Sequence, residues 1–67
     1  MNKDIIEGKW EEVKGEAKSR WARLTDNDLA EINGERTKLL GRIQANYGIA
    51  REEAEKQLKE WEDRRAA

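Results

Sequence analysis

"GKWEEVKGEAKSRWA", residues 8–22, decides the fold, and "GERTKLLGRIQANYG", residues 34–48, repeats its design. In the first run Trp10, Val13, Ala17 and Trp21, with Leu24 just beyond, recur at spacings of three and four. At about 100° per residue they fall within a sector of roughly 80°, one apolar stripe on one helix. In the second run Leu39, Leu40, Ile43 and Tyr47 form the matching stripe. Each run also carries a glycine near its middle, Gly15 and Gly41, where glycine costs about 1 kcal/mol relative to alanine.

Between the two runs stands "LTDNDLAEI", residues 24–32. Thr25 is placed as a helix cap with Asp28 in the capping-box position, and Leu24 and Leu29 can form a staple across it. The same two acids, Asp26 and Asp28, begin a run that resembles a calcium loop. Ala30 then stands where an oxygen ligand belongs and Glu31 where the turn needs glycine, so capping is the better account. Asn33 and Gly34 mark a bend, and Gly48 a second one, with Ile49 turned back toward Ile43. A last helix starts near Arg51, with Glu52 and Glu53 at its positive end and Ala54, Leu58 and Trp61 as its stripe. Glu52–Lys56, Glu55–Lys59 and Glu60–Arg64 have the spacing of stabilising i,i+4 pairs.

The expectation is therefore an all-α single domain over residues 1–67, with helices at about 8–23, 26–32, 35–47 and 51–64 in two packed helical hairpins. An offset of 26 residues aligns the runs: Gly8 with Gly34, Gly15 with Gly41, Ser19 with Ala45, and Ala22 with Gly48. The small residues lie away from the apolar stripe in both. Three explanations suit them: close approach of another helix, which is the default; local looseness; or a face for a partner. The candidate interaction face is Gly8, Gly15, Gly34, Lys38, Gly41 and Arg42.

These residues also carry a family resemblance. "GKWEEVKG", "LTDNDL", "LLGRIQANYGI" and "EEAEKQ" occur in the order found in the CsbD-like family of small bacterial stress-response proteins, which the chain resembles over nearly its whole length. The resemblance implies a compact four-helix domain and a general-stress context; it implies no biochemical activity. Ala17 and Ala22 depart from the family pattern, in which a larger aliphatic and a glycine are expected.

Composition excludes most chemistry. The 67 residues contain no cysteine and no histidine, which removes disulfides, thiolate nucleophiles, imidazole bases and the usual zinc ligands. Fifteen carboxylates offer many close pairs, yet so short a chain has little volume for a cleft that would separate their pKa values. We expect no enzyme, cofactor, metal site or small-molecule substrate. The first residues, "MNKDIIEGKW", lack the apolar core of a secretory signal, so a soluble cytoplasmic protein is the expectation. The first helix mixes lysine with glutamate on its polar face, unlike a membrane-surface helix.

Two functional readings remain. One is a non-enzymatic protein acting through an unidentified protein partner. The alternative is a weak nucleic-acid-binding module, because Arg36, Lys38, Arg42 and Arg51 fall in a stretch without acids and two of them flank the glycine face. The formal net charge of −1 argues against strong attraction to a polyanion. Trp10, Trp21 and Trp61 are expected in the core; a ring left exposed would mark a partner site.

Overall fold

The computed structural model describes residues 9–66. They form four helices, α1 (Trp10–Arg20), α2 (Asp26–Ile32), α3 (Arg36–Tyr47) and α4 (Arg51–Ala66), with no strand among the described residues. Gly8 lies outside them.

Each boundary has a local cause. Acids occupy the first turn of α1 and of α4, and bases the last, which suits the helix dipole. α2 begins with the expected capping box: the Thr25 hydroxyl accepts from the Asp28 N–H and the Asp28 carboxylate accepts from the Thr25 N–H, both at 3.0 Å. Asn33 ends α2 in the left-handed region at φ 45°, followed by Gly34 at φ 84°. Gly48, at φ 63°, ends α3, and its N–H bonds the Gln44 carbonyl.

α1 stops three residues earlier than its stripe suggests. Trp21 leaves the helix at φ −123°, ψ 81°. The backbone groups beyond it find other partners: the Arg23 N–H donates to the distant Tyr47 hydroxyl at 3.2 Å, and the Leu24 N–H closes a local turn onto the Trp21 carbonyl at 3.0 Å. The early stop buries both Trp21 and Leu24 while leaving Thr25 free to cap α2.

The core is one cluster drawn from all four helices and the α1–α2 loop, centred on Trp21, Leu24, Ile32, Leu39, Ile43 and Leu58. Trp21 and Trp61 meet edge to face, with centroids 5.2 Å apart. Such a pair adds about 0.5–1.5 kcal/mol beyond area burial. The Trp21 indole N–H donates to Gln57 at 3.0 Å, so its burial leaves no orphan donor. All three tryptophans are buried, and no exposed ring marks a site.

α3 and α4 pair closely as a hairpin, and α2 packs on α3. The joint between α3 and α4 holds an ionic cluster. Arg36 donates through Nε and Nη2 to both oxygens of Glu62, at 2.7 and 3.1 Å, and through Nη2 to Glu55 at 2.5 Å. Glu55 thus turns across to α3 rather than along α4 to Lys59. α1 reaches the core through Trp10, Val13 and Ala17, and its outer residues stand apart from those of α2. A groove lies between them.

Candidate functional site

The two mid-helix glycines are not sites of close approach. Gly15 and Gly41 are both exposed, and apart from its own helical backbone and chain neighbours no described atom lies within 4 Å of a Cβ built on either. The default explanation from sequence is therefore corrected at both positions. The alanine-sized space over each glycine is open, and each lines a groove beside α2.

The first groove, of about 420 Å³, runs between α1 and α2. Trp10, Lys14, Gly15 and Lys18 form its α1 wall; Asp26, Leu29, Ala30 and Asn33 form the other. These four follow the i, i+3, i+4, i+7 spacing that places residues on one helix face. The Lys18 ammonium donates to Asp26 at 2.7 Å, an ion pair between the two walls. That bond holds the Asp26 carboxyl below its ordinary range. The second groove, of about 500 Å³, lies between α2 and α3 and is lined by Glu31, Ile32, Lys38, Gly41 and Arg42. Arg42 pairs across it with Glu31 and reaches Asp28 at 3.4 Å. Lys38 pairs with Glu35 at 3.0 Å.

Of the candidate face, the structure brings together Lys38, Gly41 and Arg42. Gly15 lies in the other groove, and Gly34 is buried in the α2–α3 bend rather than displayed. Gly34 thus leaves the exposed face because its positive φ serves the turn.

Sequence reasoning missed the junction that fixes the second groove. Asp28 is more than a cap: its carboxylate also accepts from the Asn46 amide at 2.9 Å. Asn46 in turn donates to the Arg23 carbonyl at 3.3 Å, and the Arg23 guanidinium lies over the Tyr47 ring, 5.2 Å from its centroid. The Thr25 backbone N–H, followed by the Asn46 amide, holds the Asp28 carboxyl below its ordinary range. The available signal was weak: Asn46 sits on no apolar stripe, and no local pattern announces a bond 18 residues away.

Among the described residues no cluster of acids has the arrangement of a metal site, and no helix is long and apolar enough to cross a membrane.

The sequence pattern of the CsbD-like family matches residues 4–56. A UPF0337 protein of Protochlamydia amoebophila is 53% identical over 64 residues, spanning 96% of this chain and 97% of its own. One from Pectobacterium atrosepticum is 54% identical over 63 residues, 94% of this chain and 91% of its own. The UPF0337 protein YjbJ of Escherichia coli K12 is 45% identical over 64 residues, 96% and 93% of the two chains. No solved structure matches the chain.

Proposed function

The chain belongs to the CsbD-like family of bacterial stress-response proteins, and from that premise we propose that it acts without catalysis, by receiving a helix of a protein partner in its glycine-floored grooves. The observation that carries this reading is the pair of exposed glycines. Each costs its helix about 1 kcal/mol, and no described neighbour needs the space. A floor of bare backbone lets side-chain ridges of another helix settle closely.

The charges favour a protein over a polyanion. Lys38 and Arg42, the cations expected to meet phosphates, already have acid partners in Glu35, Glu31 and Asp28. Phosphate would have to displace those carboxylates. A protein helix with both signs on its flanks could instead join the ion pairs at the rims. The acids have structural occupations that support a non-catalytic role: Asp28 caps α2, Glu55 and Glu62 hold Arg36, and Glu16 holds Arg65. A cytoplasmic setting is part of the proposal.

The test is capture of partners from stressed cells by the wild type and by a Gly15→Leu/Gly41→Leu variant. Both glycines are exposed and line open grooves, so leucine there projects from the surface and not into the core; circular dichroism checks the fold, and the folded variant should lose its partners. Equal capture by both folded proteins refutes the reading. Salt-sensitive, saturable binding of short duplex DNA, weakened by removing Lys38 and Arg42, would replace it with the nucleic-acid alternative.

A further inference from the structure

The start of α3 is built unlike the starts of the other helices. Its N-cap, Glu35, makes no side-chain cap bond, and no acid occupies its first turn. Arg36 stands at the first helical position, a cation at the positive end of the dipole. Two consecutive left-handed residues, Asn33 and Gly34, precede it and form a ready hinge. By contrast α2 has a full capping box, and α1 and α4 carry two acids each in their first turns. The charge at the start of α3 is therefore answered by α4 and not by a cap or acid of its own first turn.

What α4 supplies is Glu62 and Glu55. Among the described residues Glu62 is the one buried charged side chain, 4% exposed, and Arg36 takes both of its oxygens. We propose that the Arg36–Glu55–Glu62 cluster is an acid-operated latch, whose protonation frees the first turn of α3 to part from α4 about the Asn33–Gly34 bend and uncover the apolar seam between them.

The physical argument is one of stranded charge. The Arg36 side chain is only 21% exposed. While both carboxylates are ionised it is compensated; once they are neutral, a partly buried guanidinium is left without a counter-charge, and moving into water relieves it. The neighbouring charges do not substitute. On α4, Arg51 and Lys59 are cations facing Glu55, and Arg65 lies over Trp61 with Glu16 of α1 as its partner. On α3, Lys38 is tied to Glu35. The sign is fixed by Glu55, whose carboxyl Arg36 holds below its ordinary value of 4.5. A depressed folded-state value means its contribution is present above about 4.5 and disappears as pH falls through the lower folded value.

The experiment compares amide hydrogen-exchange protection, corrected for intrinsic rate, at Leu39 and Leu40, the first amides of α3 with helical acceptors, and in α1, along a pH series from about 7 down to about 2. In the wild type, protection at these two amides should fall about tenfold or more relative to α1 as the carboxylates protonate. An Arg36→Met/Glu62→Leu variant replaces the pair with apolar groups, so it should fold and show no such fall. Should it not fold, Glu55→Gln/Glu62→Gln serves: with both carboxylates removed, it should already show at neutral pH the low protection that the wild type reaches only in acid. An unchanged fall in Arg36→Met/Glu62→Leu overturns the proposal. So does full protection in Glu55→Gln/Glu62→Gln at neutral pH, or loss of protection in α1 and α3 together in one global step.

Discussion

Replacing Gly15 and Gly41 with alanine should make this protein more stable. Both positions lie inside helices, α1 and α3, at ordinary helical φ, and beyond the local helical backbone and chain neighbours no described atom sits within 4 Å of the added methyl. Alanine then removes backbone freedom from the unfolded chain without strain in the folded one, a gain of about 0.4–1 kcal/mol per site. The two sites line different grooves and share no lining residue, so the gains should add to about 1–2 kcal/mol. For a domain of this size that is a rise in Tm of about 5–15 °C. Thermal unfolding followed by far-ultraviolet circular dichroism reads the shift; urea titration should show a higher midpoint at unchanged slope. The same methyls narrow both groove floors, so partner capture should weaken while Tm rises. A Tm that stays level or falls refutes the claim that these glycines serve nothing inside the fold. Undiminished capture by the stabilised variant refutes the claim that they serve a partner.

Gly48→Ala should go the other way, costing about 1 kcal/mol despite equally open space, because its φ of 63° strains any side chain; chemical denaturation beside Gly41→Ala would show the opposite signs. Thr25→Ala removes the acceptor for the Asp28 N–H and should cost about 1 kcal/mol. Asp28 itself is held below its ordinary 3.8, so the stability it contributes is present above about 3.8 and lost as pH falls through its folded value; Asp28→Asn should flatten that part of the acid unfolding curve. Gln57→Leu strands the buried Trp21 indole N–H and should cost about 1–3 kcal/mol, and combining it with Trp21→Phe should recover part of that loss.

The elements were legible in the sequence because their signals are local. Thr25 and Asp28 are three residues apart, Gly48 follows the last turn it caps, and the stripe from Trp10 to Leu24 needs only the helical period. The end of α1 was not legible, because its partners are distant: the Tyr47 hydroxyl accepts from the Arg23 backbone N–H just beyond the helix, and Gln57 accepts from the Trp21 indole that the early stop turns into the core. The i,i+4 pair expected of Glu55 failed for the same reason. A surface pair worth a few tenths of a kcal/mol yields when an arginine on another helix needs a counter-charge.

The candidate face was half legible. Periodicity placed the small residues together, but it could not separate a glycine that shapes the chain from one that shapes the surface. The backbone angles do. Gly34 and Gly48 have positive φ and are explained by the turns they make; Gly15 and Gly41 have helical angles and no described neighbour, and no turn or contact explains them. Sorting glycines by angle and space thus reduces a stripe of small residues to two positions, one on each side of α2. Both lie where an ion pair crosses from the glycine-bearing helix to α2, Lys18 to Asp26 and Arg42 to Glu31. A bare floor under a neutralised rim is poorly suited to phosphate and well suited to the side-chain ridge of a helix, and that combination points the search for a partner toward proteins.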